Sequence, residues 1–239
     1  MPIESKTWNR QYLTGPKPHL NGRTLGQARG RGLGGSSSIN DMVWVRGSFQ
    51  GGTDPNRGGD GPLQITRSRA SHPFYETFLR AGEAYGLPVA RDYNSDSIEG
   101  VHFTQATIHA GRRQSTAVTY LHTVARRPNL TVLTGWRADR VVLEGGRATG
   151  VSLRRVNGTQ TLHAGREVIL CAGTIGTPHL MLLSGIGPAD HLRNSGVTVK
   201  RDLPGVDENL RNHFVASLTF RASGTRSIAS DCRSGTARA

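Results

Sequence analysis

Cysteine, lysine, aromatic residues and long apolar runs are all scarce in these 239 residues. Two cysteines exclude a disulfide framework. Cys171 lies in the apolar run EVILCAG, where a free thiol is expected to be buried as a small hydrophobe; Cys232 lies in a polar stretch and reads as a free thiol. No apolar run reaches the roughly 18 residues of a membrane-spanning helix. The opening MPIESKTWNRQY has no apolar stretch behind a basic one, so it reads as no signal peptide, and the expected location is cytoplasmic. Only Lys6, Lys17 and Lys200 are lysine, so arginine carries most of the +13 formal charge. The arginines are scattered, with no block of about five like charges. No aromatic residues interleave with them, which argues against a nucleic-acid surface. A basic surface that attracts an anionic cofactor is the milder reading. The histidines show no i, i+4 pair and no neighbouring cysteine pair, and His102 and His109 stand seven apart, so no metal site is expected. Ser184 in LSGIG lacks the preceding glycine of a nucleophile turn.

Glycine, by contrast, is abundant, with 31 residues. GRGLGGSSSIN, residues 30–40, matches G-x-G-x-x-G at Gly30, Gly32 and Gly35. That pattern cradles a pyrophosphate when a buried strand enters it and a helix leaves it. The preceding QYLTGPKPHLNGRTLGQAR has two prolines and no run of Val or Ile, so it reads as a loop and the pattern fails as a first Rossmann turn. SSSIN still offers hydroxyls and an amide that could bind phosphate or ribityl oxygens, or simply cap a turn.

Along the rest of the chain, SFQGGTDPNRGGDG (48–61) reads as a linker. A short strand is expected at 62–66, then a helix over HPFYETFLRAGEAYG with Phe74, Phe78, Leu79 and Ala81 on its apolar face and Gly86 as its stop. VHFTQATIH (101–109) alternates as a strand, and Ser115 is placed to cap a helix through Leu121 and Val124. LTVLTG, ADRVVLEGG, RATGVSLRRV and TQTLHAG are short β-rich runs that predict an antiparallel meander. REVILCAG suits a buried parallel strand, followed by a helix with Thr174 as cap and Gly185 as stop. The Ala172-Gly173 strand end leaves room for a flat ring or ribose, or for tight strand-to-helix packing. Residues 221–239 have almost no apolar mass and read as disordered, and no internal repeat is present.

Several stretches together resemble the glucose–methanol–choline (GMC) family of FAD-dependent oxidoreductases. GRGLGGSSSINDMVWVRG and GTIGTPHLMLLSGIGP resemble its two signatures. GGDGPLQI, GRRQSTAVTYL, RRPNLTVLTGWRADRVV, AGREVILCAG and DLPGVDENLRNH resemble the family in the same order, over about residues 8–214 and closest to the choline or alcohol dehydrogenase-like branch. The resemblance implies a mixed α/β fold: part of a Rossmann-like FAD-binding domain, a β-meander and a fragment of a substrate domain. The implied layout is a flavin-loop segment at 1–47, a linker and partial substrate-domain segment at 48–110, a second FAD-domain segment at 111–213, and a disordered tail at 214–239. It implies that Gly34, Gly35, Asn40, Asp41 and Val43 lie against FAD, with Ala138 on the adenine side and Ala172 and Gly173 at the strand-end contact. Ile39 stands where some relatives carry a histidine bonded to the flavin, so non-covalent FAD is implied; Asp41 stands where a small residue is commoner.

The implied reaction oxidises an alcohol CH–OH to a carbonyl, a histidine taking the hydroxyl proton while hydride passes to the flavin. The electron acceptor would be oxygen, or a quinone or other carrier. The family's strand–GxGxxG–helix lies upstream of the matched region and its active-site histidine downstream, and His213 is not that residue. The aromatic, acidic segment that family members carry after Arg46-Gly47 is shortened here. The chain therefore reads as a fragment or incomplete gene product with no catalytic residue assigned. The alternative function is a truncated, non-catalytic remnant, marginally stable because a parallel sheet without its first strand leaves an open edge.

Overall fold

The computed structural model describes residues 5–45, 61–67, 72–90, 92–94, 99–213 and 218. The predicted linker at 48–61 lies almost wholly outside the described residues, and the predicted tail does so apart from residue 218. The chain forms two compact units, Met1–Leu130 and Thr131–Thr219, of mixed helix and strand. Among the described residues no helix is long and apolar enough to cross a membrane.

In the first unit β1 (Tyr12–Leu13) and β2 (Gly26–Gln27) form an antiparallel hairpin. Asn9 is buried, and its Oδ1 accepts hydrogen bonds from the amides of Gln11 (2.9 Å) and Arg29 (3.0 Å), which fastens the chain just ahead of Gly30. β3 (Thr66–Arg67) follows, then α1 (Pro73–Ala84). Pro73 suits the first helical position, where no intrahelical N–H is needed. The His72 Nδ1 accepts from the Phe74 amide at 3.2 Å, and Gly86, at φ +94°, ends the helix where it was expected to end. The predicted apolar face is not fully covered, since Phe78 is 70% exposed. Close packing on α1 is seen at Gly82, where a Cβ would stand 2.5 Å from Val101 Cγ1.

β4 (Gln105–Ala106) is paired on both edges, with β3 on one and an isolated bridge to Val43 on the other. The amide of Trp44 donates to the carbonyl of Gln105 (3.0 Å) and that of Thr107 to Met42 (2.9 Å). The Gln105 side chain is 2% exposed and satisfied at both ends: Oε1 accepts from Asn94 Nδ2 and Nε2 donates to Asp92 Oδ1, each at 2.8 Å. The Tyr93 hydroxyl donates to the Trp44 carbonyl and accepts from the Gln105 amide at 3.0 Å. β5 (Ile108–His109) and β6 (Arg112–Arg113) form a tight hairpin through Ala110 and Gly111, both at positive φ, as a two-residue I′-type turn requires. The helical turn after Ser115 is a π-turn over Ala117–Leu121 that passes into α2 (His122–Val124); the Ser115 hydroxyl accepts weakly from the Val118 amide at 3.4 Å.

The second unit is built on the predicted meander: β7 (Arg137–Glu144), β8 (Arg147–Arg155) and β9 (Gly158–His163), antiparallel in that order. LTVLTG, expected to be a strand as well, is irregular and exposed, with Leu133 46% exposed. A bulge between Ala138 and Arg140 leaves Asp139 unpaired on β7, where it meets Arg154 in a fork, Nε at 2.9 Å and Nη2 at 3.2 Å. REVILCAG corrects a second expectation. It runs without a strand partner among the described residues, Ile169 is 73% exposed, and Cys171 is exposed rather than buried. An apolar run becomes a buried strand only where another strand and a covering layer meet it; among the described residues it has no strand partner, and Val168 and Leu170 are only half-buried.

α3 (Gly173–Leu183) packs against β7. Thr174 is not its cap; the Thr177 hydroxyl reaches back to accept from the Ala172 amide at 3.1 Å. β10 (Ile186–Gly187) and β11 (Arg201–Asp202) pair in parallel through the short α4 (Ala189–Asn194), whose Leu192 is 1% exposed. Gly185 ends α3 as expected, at φ +82°, and a Cβ there would overlap the Thr198 carbonyl. Ser184 couples α3 to β7. Its hydroxyl donates to the Leu180 carbonyl at 2.6 Å and accepts from the Val141 amide at 2.8 Å.

Two stability outcomes follow. Ser184→Ala leaves a buried strand amide without an acceptor and is expected to cost about 1–3 kcal/mol; urea unfolding should show a lower midpoint at unchanged slope. Gly82→Ala should not deliver the ~1 kcal/mol gain of replacing a helix-interior glycine, because the new Cβ meets Val101; pairing it with Val101→Ala should restore the gain, and a double-mutant cycle followed by thermal melting checks the coupling.

Candidate functional site

The stretch from Gly30 to Val43 carries five of the eight sequence-predicted site residues. Its shape departs from a Rossmann turn in the way the local sequence required. The chain enters from a two-residue hairpin strand, and only one turn of 3-10 helix, Gly35–Ser38, leaves it. A cluster of glycine, serine and asparagine prefers such turns, because their side chains bond back to nearby backbone. Gly34 and Gly35 both have left-handed backbone, at φ +83° and +53°. The positions differ in room. A Cβ at Gly34 would stand 2.5 Å from Ser38 Oγ and 3.2 Å from Ala117, so Gly34 is needed for packing; at Gly35 it would meet nothing within 4 Å, so that one face of its Cα is unobstructed, while its amide is held by the Gly32 carbonyl and its own carbonyl packs against Gly30.

The loop is closed internally and tied to residues far along the chain. The Ser37 hydroxyl donates to the Gly34 carbonyl (2.5 Å) and accepts from the Thr116 amide (3.0 Å). The Ser38 hydroxyl donates to the Leu33 carbonyl (2.9 Å), and Ser36 Oγ accepts from the Gly30 amide (3.1 Å). Three of the loop's hydroxyls are thus committed to holding its shape. Asn40 Oδ1 accepts from the Met42 amide at 3.1 Å and supports a left-handed Met42, φ +62°. Asp41 is exposed, and Val43 is 55% exposed although its backbone pairs with Ala106. Ile39, by contrast, is buried, so its side chain anchors the loop.

The remaining three residues belong to the second unit. Ala138 is exposed in β7, beside the Asp139 bulge. Ala172 and Gly173 are exposed at the start of α3; Gly173 has φ +81°, and a Cβ on it would meet nothing within 4 Å. An open, side-chain-free backbone at a helix start suits the close approach of a flat or phosphate-bearing group. Each unit therefore presents small-residue backbone to solvent at the predicted places. The residues present fit a flavin nucleotide: open glycines, an exposed amide and carboxylate, and one exposed apolar side chain. Arg113, which no motif singled out, reaches the loop from β6. The only signal for it in the sequence is its place in GRRQSTAVTYL, because a contact between residues 73 apart leaves no local periodicity.

Comparison with known proteins places this geometry. Residues 57–215 match the family model described as GMC oxidoreductase. The chain is 39% identical, over 89% of its length and 44% of the relative's, to an oxygen-dependent choline dehydrogenase of Rhizobium etli, and equally to one of Brucella canis. Among solved structures it is similar to pyridoxine 4-oxidase from Mesorbium loti, with a TM-score of 0.78 and 31% identity over 83% of this chain and 45% of that one. It is similar also to an FAD-dependent oxidoreductase from Chaetomium thermophilum, with a TM-score of 0.78 and 26% identity over 86% and 43%. The chain thus spans less than half the length of the relatives it matches. The family match over most of the chain, with helix and strand arranged as in these flavoenzymes, shows that this chain belongs to the GMC oxidoreductases.

Proposed function

We propose that the chain belongs to an FAD-dependent enzyme that oxidises an alcohol CH–OH group to a carbonyl, with a small alcohol as substrate, as in choline or alcohol dehydrogenases. The observation that carries this reading is the unobstructed Cα face of Gly35, set in a loop whose own hydroxyls are committed to its shape. Bound FAD supplies the hydride acceptor. The part of this chain is to bind and orient it: Gly34, Gly35, Asn40, Asp41 and Val43 along one stretch, Ala138, Ala172 and Gly173 in the second unit. Ile39 has no nucleophilic atom and is buried, which supports non-covalent binding. The electron acceptor is oxygen, or a quinone or other carrier; the similar choline dehydrogenases are named oxygen-dependent and one similar solved structure is an oxidase, which leaves oxygen and a carrier equally supported. No catalytic residue is assigned among the residues of this chain. The proposed division is a flavin-loop segment at 1–47, a linker and partial substrate-domain segment at 48–110 and a second flavin-domain segment at 111–213, in a cytoplasmic protein.

A second reading, a non-catalytic remnant of such an enzyme, is favoured by one observation. The apolar run 168–171 has no regular structure, is exposed at Ile169 and is unpaired among the described residues. An unpaired run of this kind weakens any site built at its end.

Fluorescence titration of the purified chain with FAD, followed by desalting and an absorbance spectrum, tests both. Saturable quenching that is lost on desalting is the expected result, with no turnover in a screen of small alcohols with an artificial electron acceptor. No saturable quenching overturns the flavin reading. Stoichiometric flavin after desalting, together with turnover, overturns the remnant reading.

A further inference from the structure

The glycine-rich loop carries strain at one place, and one side chain from elsewhere in the chain sits on it. Met42 has a left-handed backbone, which a residue with a Cβ adopts only at a cost and keeps only where its surroundings enforce it. The residues on its N-terminal side supply one support, the Asn40 Oδ1 contact to the Met42 amide. The rest comes from a distance. Nη1 of Arg113 lies 2.7 Å from the Asn40 carbonyl, 2.8 Å from Asn40 Oδ1 and 3.2 Å from the Ser37 carbonyl. One guanidinium nitrogen has two hydrogens, so the two short contacts take one each and the third is shared. The acceptors are two backbone carbonyls and the amide oxygen that itself holds Met42. Charge-assisted bonds of this kind are stronger than neutral ones.

The scaffold behind Arg113 is rigid. Its strand β6 is set by the two-residue turn at Ala110 and Gly111 and by pairing of Ile108 with Arg113. The Gln114 amide donates to the Thr107 carbonyl at 2.8 Å, and the Thr107 amide donates to the Met42 carbonyl. The loop's Gly34–Ser37 end is held by Thr116. Its Asn40–Met42 end receives a side chain from beyond the loop at Arg113 and, more weakly, at Thr107, whose Oγ1 donates to the Met42 carbonyl at 3.3 Å.

We propose that Arg113 is a positioning residue that fixes the Ser37–Met42 segment in its strained conformation, and so presents Asn40, Asp41 and Val43 in the orientation that a flavin contact needs. The last clause rests on the flavin reading above; the fixing of the loop does not. All three contacts come from one nitrogen, so a lysine ammonium, with three hydrogens, could replace them in part and differs from arginine in reach and hydration rather than in the number of donors.

Hydrogen–deuterium exchange of the full chain, resolved to the peptide covering residues 33–44, is compared among the parent, Arg113→Gln, Arg113→Lys and Arg112→Gln, with FAD titration of each. Arg112 is exposed, neighbours Arg113 and donates no described side-chain bond to the loop, so it controls for net charge. The expected result is exchange in the 33–44 peptide faster by about tenfold or more in Arg113→Gln, with other peptides unchanged and FAD affinity weakened by a similar factor. Arg113→Lys should fall between the two, and Arg112→Gln should behave as the parent. Parent-like exchange in Arg113→Gln overturns the proposal, as does an equal loss of FAD affinity in Arg112→Gln. If the parent binds no FAD but the loop exchange responds as described, the fixing of the loop by Arg113 stands and the flavin reading falls. Should Arg113→Gln fail to fold, Arg113→Met, which keeps a long chain without a donor, decides, and parent-like exchange there overturns the proposal.

Discussion

The first unit hangs on a strand of two residues. β4 is short, yet both of its edges are used, by β3 and by the backbone around Val43, and its one long polar side chain, Gln105, is buried with each end satisfied. An amide in an apolar interior without partners costs several times what its bonds contribute. Asp92, Tyr93 and Asn94 are therefore required around Gln105, and they in turn hold the Trp44 carbonyl. The glycine-rich loop ends at that carbonyl. Its conformation is thus set from the inside by its own serines and from the outside by the segment from Gln105 to Thr116.

In the second unit the same need, partners for strand backbone, is met by a helix. Ser184, the residue after α3, accepts the Val141 amide on the edge of β7 that β8 does not use. On the other side of the meander β9 stays exposed along its length. Gly185 lets the chain turn directly out of α3 into β10, its carbonyl accepting from the Lys200 and Arg201 amides. The second GMC signature is therefore a packing device: its Ser-Gly pair joins helix, meander and parallel pair, while its first residue, Gly173, is exposed.

How legible all this was depended on the range of the interaction. The three strands of the meander, α1 and α3 were readable because alternation, helical spacing and glycine stops act over a few residues. The failure of Gly30-x-Gly32-x-x-Gly35 as a Rossmann turn was readable for the same reason, since the preceding prolines and polar turn formers cannot build a buried strand. The errors fell where a partner was required. LTVLTG and REVILCAG have strand composition, yet β-structure is a relation between segments, and the described residues offer these two none. Cys171 followed its run into solvent. Phe78 was assigned to a core face because spacing predicts a face and not what covers it.

By itself the sequence determined the family, through two long motifs in order, and with it the set of residues expected near a flavin: Gly34, Gly35, Asn40, Asp41, Val43, Ala138, Ala172 and Gly173. It determined also that the loop would turn rather than run straight, because glycine and serine there favour local bonds over a ladder. Only the tertiary structure decided which glycines leave a free Cα face and which have none, Gly35 against Gly34, since that depends on Ala117 standing over the loop. It alone decided that Arg113 meets Asn40 across 73 residues. Contacts of that separation are set by chain topology and by the demand that buried polar groups be paired, and neither is written in any local window of residues.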